Sequence, residues 1–289
     1  MKFFEYAEPA SLEEATELLQ QCAGAASLMA GGTDLMVMMK EHVRTPSHVV
    51  NIKKIQGLDD FRFNAEDGLH IGALVTTRQI ETSAVTRRHY ASLAKACTDF
   101  ASIQVRNRAT LVGNVCHASP SADSLPALIA DRALVHIHGA HGKRQCRLEE
   151  FIKGPGRTTL GTDELVTHIE IPAPAVRTGK VYIKHGRRSQ MELATVGVAV
   201  TLTLDAQGCI KAASIILAAV GPTPIRASAA EALLQGRSPD QALIAAASQS
   251  AATAATPISD VRASAEYRSD MVDVLTARAL ALAIKEAKQ

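Results

Sequence analysis

Tryptophan is absent from this chain of 289 residues, and aromatic residues make up only 3% of it. With hydrophobic residues at 47%, the cores must therefore be aliphatic, built on Ala, Val, Leu and Ile. No Cys-x-x-Cys pair occurs. Cys22, Cys97, Cys116, Cys146 and Cys209 lie far apart, which excludes an iron–sulfur or zinc ligand set of local spacing and leaves buried, reduced thiols as the expectation. Clustered basic residues with interleaved aromatics are also missing, and the net charge is +2, so a nucleic-acid footprint is excluded. The opening MKFFEYAEPASLEEA has no apolar signal core, and no apolar run is long enough for a bilayer span. A cytoplasmic protein without a membrane span is expected.

Helix and strand signals alternate through the first part of the chain. Ser11-Leu-Glu-Glu14 reads as a capping box, with Leu12, Ala15, Leu18, Leu19 and Cys22 following at helical spacing. The run Ser27 to Ala30 predicts a strand entering a tight turn at Gly31-Gly32, and Val49 to Ile52 predicts a second strand. Two apolar stretches flank Asp67-Gly68, a hairpin signal. Helices are predicted from Thr77 and near 91–100, with a polar, turn-rich stretch over 104–114. A loop over 119–126 then feeds a helix at 127–130, and strands are predicted at 133–138 and 165–171. Pro172, Pro174 and Gly179 mark a boundary. Beyond it Ala194, Val196, Val198, Val200, Leu202 and Leu204 alternate as a half-buried strand. A turn at Asp205 to Gly208 leads to a partner strand over 210–220, and alanine-rich helices follow from Ala227. Strands followed by helices indicate an α+β second domain.

Two segments could carry chemistry. In Ala30-Gly31-Gly32-Thr33-Asp34, paired glycines let the backbone approach a ligand, and successive N–H groups can form an anion nest suited to a diphosphate. A lone Gly-Gly by itself reads first as an ordinary strand-to-helix turn, and no G-x-G-x-x-G fingerprint is present. In Thr110-Leu-Val-Gly-Asn114, Gly113 permits close approach while Thr110 and Asn114 can hydrogen-bond a ligand. Asp123 is either an acceptor for ligand hydroxyls or a helix cap. His136 and His138 share one strand face at a spacing that can ligate metal, but lack a third ligand signal and read as surface residues. Cys116-His117 as nucleophile and base is disfavoured, because adjacent residues rarely face each other.

The paired pattern, strand-G-G-T-D followed by Q-V-R-N-x-A-T-L-x-G-N and S-P-x-x-D, resembles the FAD-binding medium subunits of the xanthine dehydrogenase and carbon monoxide dehydrogenase family of molybdenum hydroxylases. Tyr182-Ile-Lys184-His-Gly-Arg187, Gly221-Pro-Thr-Pro-Ile-Arg226 and Ser259-Asp-Val-Arg-Ala-Ser264 extend the resemblance over nearly the whole chain. It implies an α+β fold with a two-lobed, PCMH-type FAD-binding domain over 1–176, split near residue 55. A smaller α+β C-terminal domain with an antiparallel sheet and helices would occupy 177–289. It places Met29, Ala30, Gly31, Gly32, Thr33, Asp34, Leu35 and Met36 around the FAD pyrophosphate. Thr110, Leu111, Val112, Gly113 and Asn114 would form a second phosphate and ribityl cradle, and Asp123 a hydroxyl-binding carboxylate. Phe100 and Leu165 would neighbour the cofactor, with core packing as the competing role for both. Lys184 would supply a basic contact from the second domain, or else be a solvated strand residue.

The family's second loop reads T-x-G-G-N, whereas Val112 stands at the first of those glycines. Since a β-branched residue avoids positive φ, an extended backbone or a locally different loop is expected there. Within this chain the resemblance implies no catalytic acid or base and no metal ligand. The cysteine-rich insertion that holds an extra cluster in some relatives is absent. The implied partners are a large molybdopterin-binding subunit and a small subunit with two [2Fe–2S] clusters, assembled as a dimer of heterotrimers. A self-sufficient FAD-dependent oxidase or dehydrogenase, and a non-catalytic interaction subunit, are the alternatives.

Overall fold

A computed structural model describes residues 1–188 and 191–289. The chain begins with β1 (Glu5–Ala7), α1 (Leu12–Gln21), β2 (Ala26–Met29), α2 (Leu35–Lys40) and β3 (His48–Asn51), and a 3-10 turn follows over Ile52–Lys54. The strands form a parallel three-stranded sheet in the order β1-β3-β2. Ser11 caps α1, its Oγ accepting from the Glu14 N–H at 3.1 Å. The return arm of the expected box is displaced by one residue, since the Glu14 carboxylate accepts from Ala10 N–H at 2.7 Å.

The next unit contains β4 (Phe61–Asn64), β5 (Gly68–Gly72), α3 (Thr77–Thr82), α4 (Ala84–His89), α5 (Ala91–Asp99), α6 (Ile103–Arg106), α7 (Leu111–His117) and α8 (Ser124–Ala130). It continues through β6 (Leu134–Gly139), β7 (Gly142–Arg147), α9 (Leu148–Phe151), β8 (Ile152–Gly154), β9 (Arg157–Thr158) and β10 (Glu164–Ile171). Its main sheet is five-stranded, β4-β5-β10-β6-β7, with antiparallel neighbours. β4 and β5 form the hairpin that Asp67-Gly68 announces, with Gly68 at φ +104°. Three helices depart from the sequence reading. The stretch expected to be turn-rich contains α6 and the start of α7. α8 begins at Ser124 rather than Ala127, because Pro126 falls in its first turn, where no intrahelical N–H bond is required.

The last unit comprises β11 (Thr178–His185), β12 (Val196–Leu204), β13 (Ile210–Ala218), β14 (Ile225–Arg226), α10 (Ser228–Leu234), α11 (Gln241–Ala254) and α12 (Ala265–Ala287). Its antiparallel sheet runs β11-β12-β13-β14. The strict alternation in β12 predicted one solvated face, and this is corrected: Val196 to Val200 are all buried. Val196, Val198, Val200, Leu202 and Leu204 belong to a core with α11 and α12, whereas Ala199, with Tyr182 of β11 and Ile216 of β13, joins the core of the preceding unit. The alternation thus separates large from small residues, not buried from wet ones.

The cores are mainly aliphatic, with Tyr90 and Phe151 as fully buried exceptions. All five cysteines are free. Among the described residues no helix is long and apolar enough to cross a membrane.

Candidate functional site

The strand-to-helix turn after β2 touches the segment preceding α7. A Cβ on Gly31 would lie 2.1 Å from the Arg108 carbonyl oxygen and 3.1 Å from Ala109 Cα. The contacting segment is itself braced. Ala109 O accepts from Thr77 N–H at 2.9 Å, and Leu111 N–H donates to Val75 O at 3.2 Å. Two turns nearly eighty residues apart are therefore packed closely against each other.

Around this contact the backbone offers donors. Met36 N–H closes the first turn of α2 on Gly32 O at 3.0 Å, while the N–H groups of Gly31, Gly32, Thr33, Asp34 and Leu35 donate no hydrogen bond among the described residues. Asp34 precedes α2 and is exposed, and its side chain caps nothing. Met29, Ala30, Thr33, Leu35 and Met36 are half-buried. Gly32 has φ +74°, a conformation natural to glycine. A half-buried run of free N–H groups leading into a helix start matches a diphosphate, which needs donors and positive potential but no cation.

The second segment is a helix N-terminus rather than a loop. Thr110 caps α7, its Oγ1 accepting from Gly113 N–H at 3.0 Å. Leu111 and Val112 are buried in the core, at 0% and 4% exposure. Val112 lies in the first turn of α7, so its backbone is helical rather than extended. The helix demands no positive φ at that position, so valine replaces glycine at no steric cost and packs inward. Asn114 is buried and accepts from Ser124 Oγ at 2.6 Å.

Asp123 and Lys184 meet. Lys184 Nζ lies 2.8 Å from Asp123 Oδ2 and donates to Asp99 O at 3.0 Å, while Tyr182 OH donates to Asp123 Oδ1 at 2.7 Å. Both side chains of the ion pair are below 10% exposed, so Lys184 is not the solvated residue one reading allowed. Asp123 does not cap α8. Burial pushes its carboxyl above the ordinary range, against the pull of Lys184 and Tyr182, and burial beside Asp123 pushes the Tyr182 hydroxyl well up. A cavity of about 400 Å³ adjoins the pair, lined by Lys95, Asp99, Lys184, Arg187 and Glu192 among others.

Phe100 ends α5 half-buried, and its carbonyl accepts from Arg106 Nη1 at 2.8 Å. Leu165 is 1% exposed within the core and offers no surface to a ligand. Sequence reasoning missed Tyr182 and Arg106. Arg106, with Glu81 at 2.9 Å and the Phe100 and Ala101 carbonyls, ties α3 to the segment that carries α7. Its place inside Q-V-R-N was the available signal.

Other candidates resolve clearly. Burial pushes the Cys116 thiol up to about 12, which removes it as a thiolate at neutral pH. His136 and His138 are not surface residues. His138 is 8% exposed, and the His136 ring stacks on His168 at 4.1 Å, which in turn stacks on His70 at 4.3 Å. Burial holds His168 down to about 4 and lowers His70 as well.

Comparison with known proteins accounts for the whole chain. Residues 2–174 match the family described as FAD binding domain in molybdopterin dehydrogenase, and residues 181–283 match the CO dehydrogenase flavoprotein C-terminal domain. A putative xanthine dehydrogenase FAD-binding subunit of Escherichia coli is 32% identical over 99% of this chain and 97% of its own length. The carbon monoxide dehydrogenase medium chain of Hydrogenophaga pseudoflava is 32% identical over 96% of each. The solved carbon monoxide dehydrogenase of the same organism superposes with a TM-score of 0.94 at 33% identity, covering 99% of this chain and 98% of that one. The chain therefore belongs to the FAD-binding medium subunits of the molybdenum hydroxylase family, of xanthine dehydrogenase and carbon monoxide dehydrogenase type.

Proposed function

We propose that this chain holds FAD in extended form and passes electrons from the [2Fe–2S] clusters of a small partner subunit to an external acceptor. A large partner subunit carrying the molybdopterin cofactor would oxidise the organic substrate, and the whole would assemble as a dimer of heterotrimers. The carrying observation is the contact of Gly31 with Arg108 and Ala109, flanked by free backbone N–H groups. Bound FAD would supply the capacity to take up and release electrons one or two at a time.

The residues of this chain bind and orient. The amides of 31–35, with the first turn of α7, would hold the pyrophosphate. Gly113 leaves the approach to that turn open. Asn114 Nδ2 would remain available as a donor, its Oδ1 being held by Ser124. The Asp123–Lys184–Tyr182 group would stand at the flavin end, beside the cavity of about 400 Å³. There Lys184 is already paired, so its field is largely cancelled by Asp123 and its part is positional. Phe100 directly follows Asp99, which lines that cavity. The division into an FAD-binding domain over 1–176 and a C-terminal domain over 177–289 accompanies this reading, with the second domain contributing Tyr182 and Lys184.

Visible spectra test the proposal. The purified chain, reconstituted with FAD, should show stoichiometric flavin bands, and isolation of the native complex should yield two further polypeptides with molybdenum and iron. A chain that takes up no flavin would overturn the reading. Turnover of an organic substrate by the isolated chain would support a self-sufficient oxidase instead.

A further inference from the structure

The outer face of the β5–β10–β6 sheet carries three stacked histidines around one carboxylate. A β-bulge between Val166 and His168 sets His168 opposite His136 and leaves Glu170 opposite His70. Glu170 Oε1 lies 3.6 Å from His168 Nε2 and 3.9 Å from His70 Nδ1, and its Oε2 lies 2.8 Å from His136 Nε2. The three histidines border a cavity of about 410 Å³ to which no residue of the Gly31 turn, of α7 or of the Asp123–Lys184 pair contributes.

Hydrogen bonding constrains the ring protons. Thr167 Oγ1 satisfies both of its contacts when it donates to His136 O at 3.3 Å and accepts from His168 Nδ1–H at 2.9 Å. The lone pair of His168 then sits on Nε2, aimed at Glu170. Arg62 Nη2, which can only donate, lies 3.4 Å from His70 Nδ1, so that nitrogen also carries a lone pair. The His168 lone pair and the Glu170 carboxylate oxygen thus face each other with nothing positive between them, while Arg62 reaches the His70 lone pair. The buried His136 Nε2 likewise finds no hydrogen-bond partner of good geometry.

We propose that His70, His168 and Glu170 bind one divalent transition-metal ion of the zinc class. Mixed imidazole and carboxylate donors suit that class. Metal–ligand bonds near 2.1 Å place tetrahedral donors about 3.4 Å apart, so Glu170 Oε1 need approach each ring by only a few tenths of an ångström, while the stacked His70 and His168 rings, whose donors lie within 4.8 Å of each other, must tilt to bring both lone pairs to one ion. The Thr167–His168 bond is the outer contact that fixes a ligating ring. The Glu170 side chain is 44% exposed, which leaves a fourth position for water. Neighbouring cations are largely committed elsewhere. Arg62 is held by Asp60 at 2.9 Å and is exposed enough to withdraw, and Arg144 is held by Glu164 at 2.6 Å. Lys143 lies on the exposed edge strand β7. The site is independent of FAD.

The test uses the full-length, untagged, FAD-loaded chain, stripped with a chelator and titrated with Zn²⁺, or with Co²⁺ as a visible-band probe. One equivalent should bind and raise the melting temperature. His168→Asn and Glu170→Gln should each weaken Zn²⁺ at least about 100-fold, beyond the loss typical of an outer-contact change. His141→Asn, on an exposed turn, should leave binding intact, and flavin content should be unchanged throughout. If His168→Asn fails to fold by circular dichroism, Glu170→Gln alone decides. Substoichiometric binding by the wild-type chain, or unaltered affinity in Glu170→Gln, overturns the proposal.

Discussion

Adding a single methyl group at residue 31 should separate the two turns on which FAD binding depends. In Gly31→Ala the new Cβ would sit 2.1 Å from the Arg108 carbonyl oxygen, about 1 Å inside the 3.0 Å limit of real Cβ contacts. The obstacle is backbone, and it cannot rotate away. Arg108 and Ala109 are held by the Thr77 N–H bond to Ala109 O and by the Val105 carbonyl, which accepts from both of their N–H groups. The turn must therefore move as a unit by about 1 Å, an overpacking cost of about 1–3 kcal/mol. If the displacement is expressed in binding, where 1.4 kcal/mol is tenfold, the FAD dissociation constant should rise about 5- to 150-fold. Flavin fluorescence quenching measures this directly. Gly154→Ala is the matched control, because a Cβ there meets nothing within 4 Å. A Gly31→Ala chain that binds FAD within about twofold of wild type would refute the idea that close approach of the two turns builds the site.

Three further outcomes follow from particular residues. Gly32→Val should purify without flavin, because a β-branched side chain disfavours φ +74° and the diphosphate-binding turn would open; a stoichiometric flavin absorbance ratio would count against the turn. Asp123→Asn should lower stability to urea by about 3–5 kcal/mol, since it leaves the buried Lys184 ammonium without its carboxylate. Adding Lys184→Met should recover part of that loss. Val112→Gly, which restores the family's glycine, should cost about 2–3 kcal/mol through lost core burial and helix propensity. Flavin titration of that variant should show no gain in affinity.

Local signals were legible wherever neighbours in the chain decide the conformation. Gly31-Gly32 after an apolar strand, Asp67-Gly68 between alternating runs, and Ser11 before a helical period all give their elements from chemistry within a few residues. Thr110 was legible as a hydrogen-bonding residue but not as a cap. Helical propensity around Leu111-Val-Gly-Asn114 is weak, and the helix forms because Leu111, Val112 and Val115 enter a core assembled from remote strands. The expected solvated face of β12 failed for the same reason: its small residues fit against a second core that period-two alternation cannot reveal.

By itself, the sequence determined the aliphatic character of the cores, the free cysteines, the glycine turn and the family. Each depends on composition or on residues close together along the chain. Only the tertiary structure decided that Gly31 abuts Arg108, that Asp123 pairs with Lys184 sixty-one residues away, and that His70, His136 and His168 stack around Glu170. The histidine cluster arises from sheet register and from a single bulge at Thr167, which turns His168 to the face of its partners. A one-residue shift in register reverses every side chain beyond it, and the packing energy that selects the register is summed over the whole core.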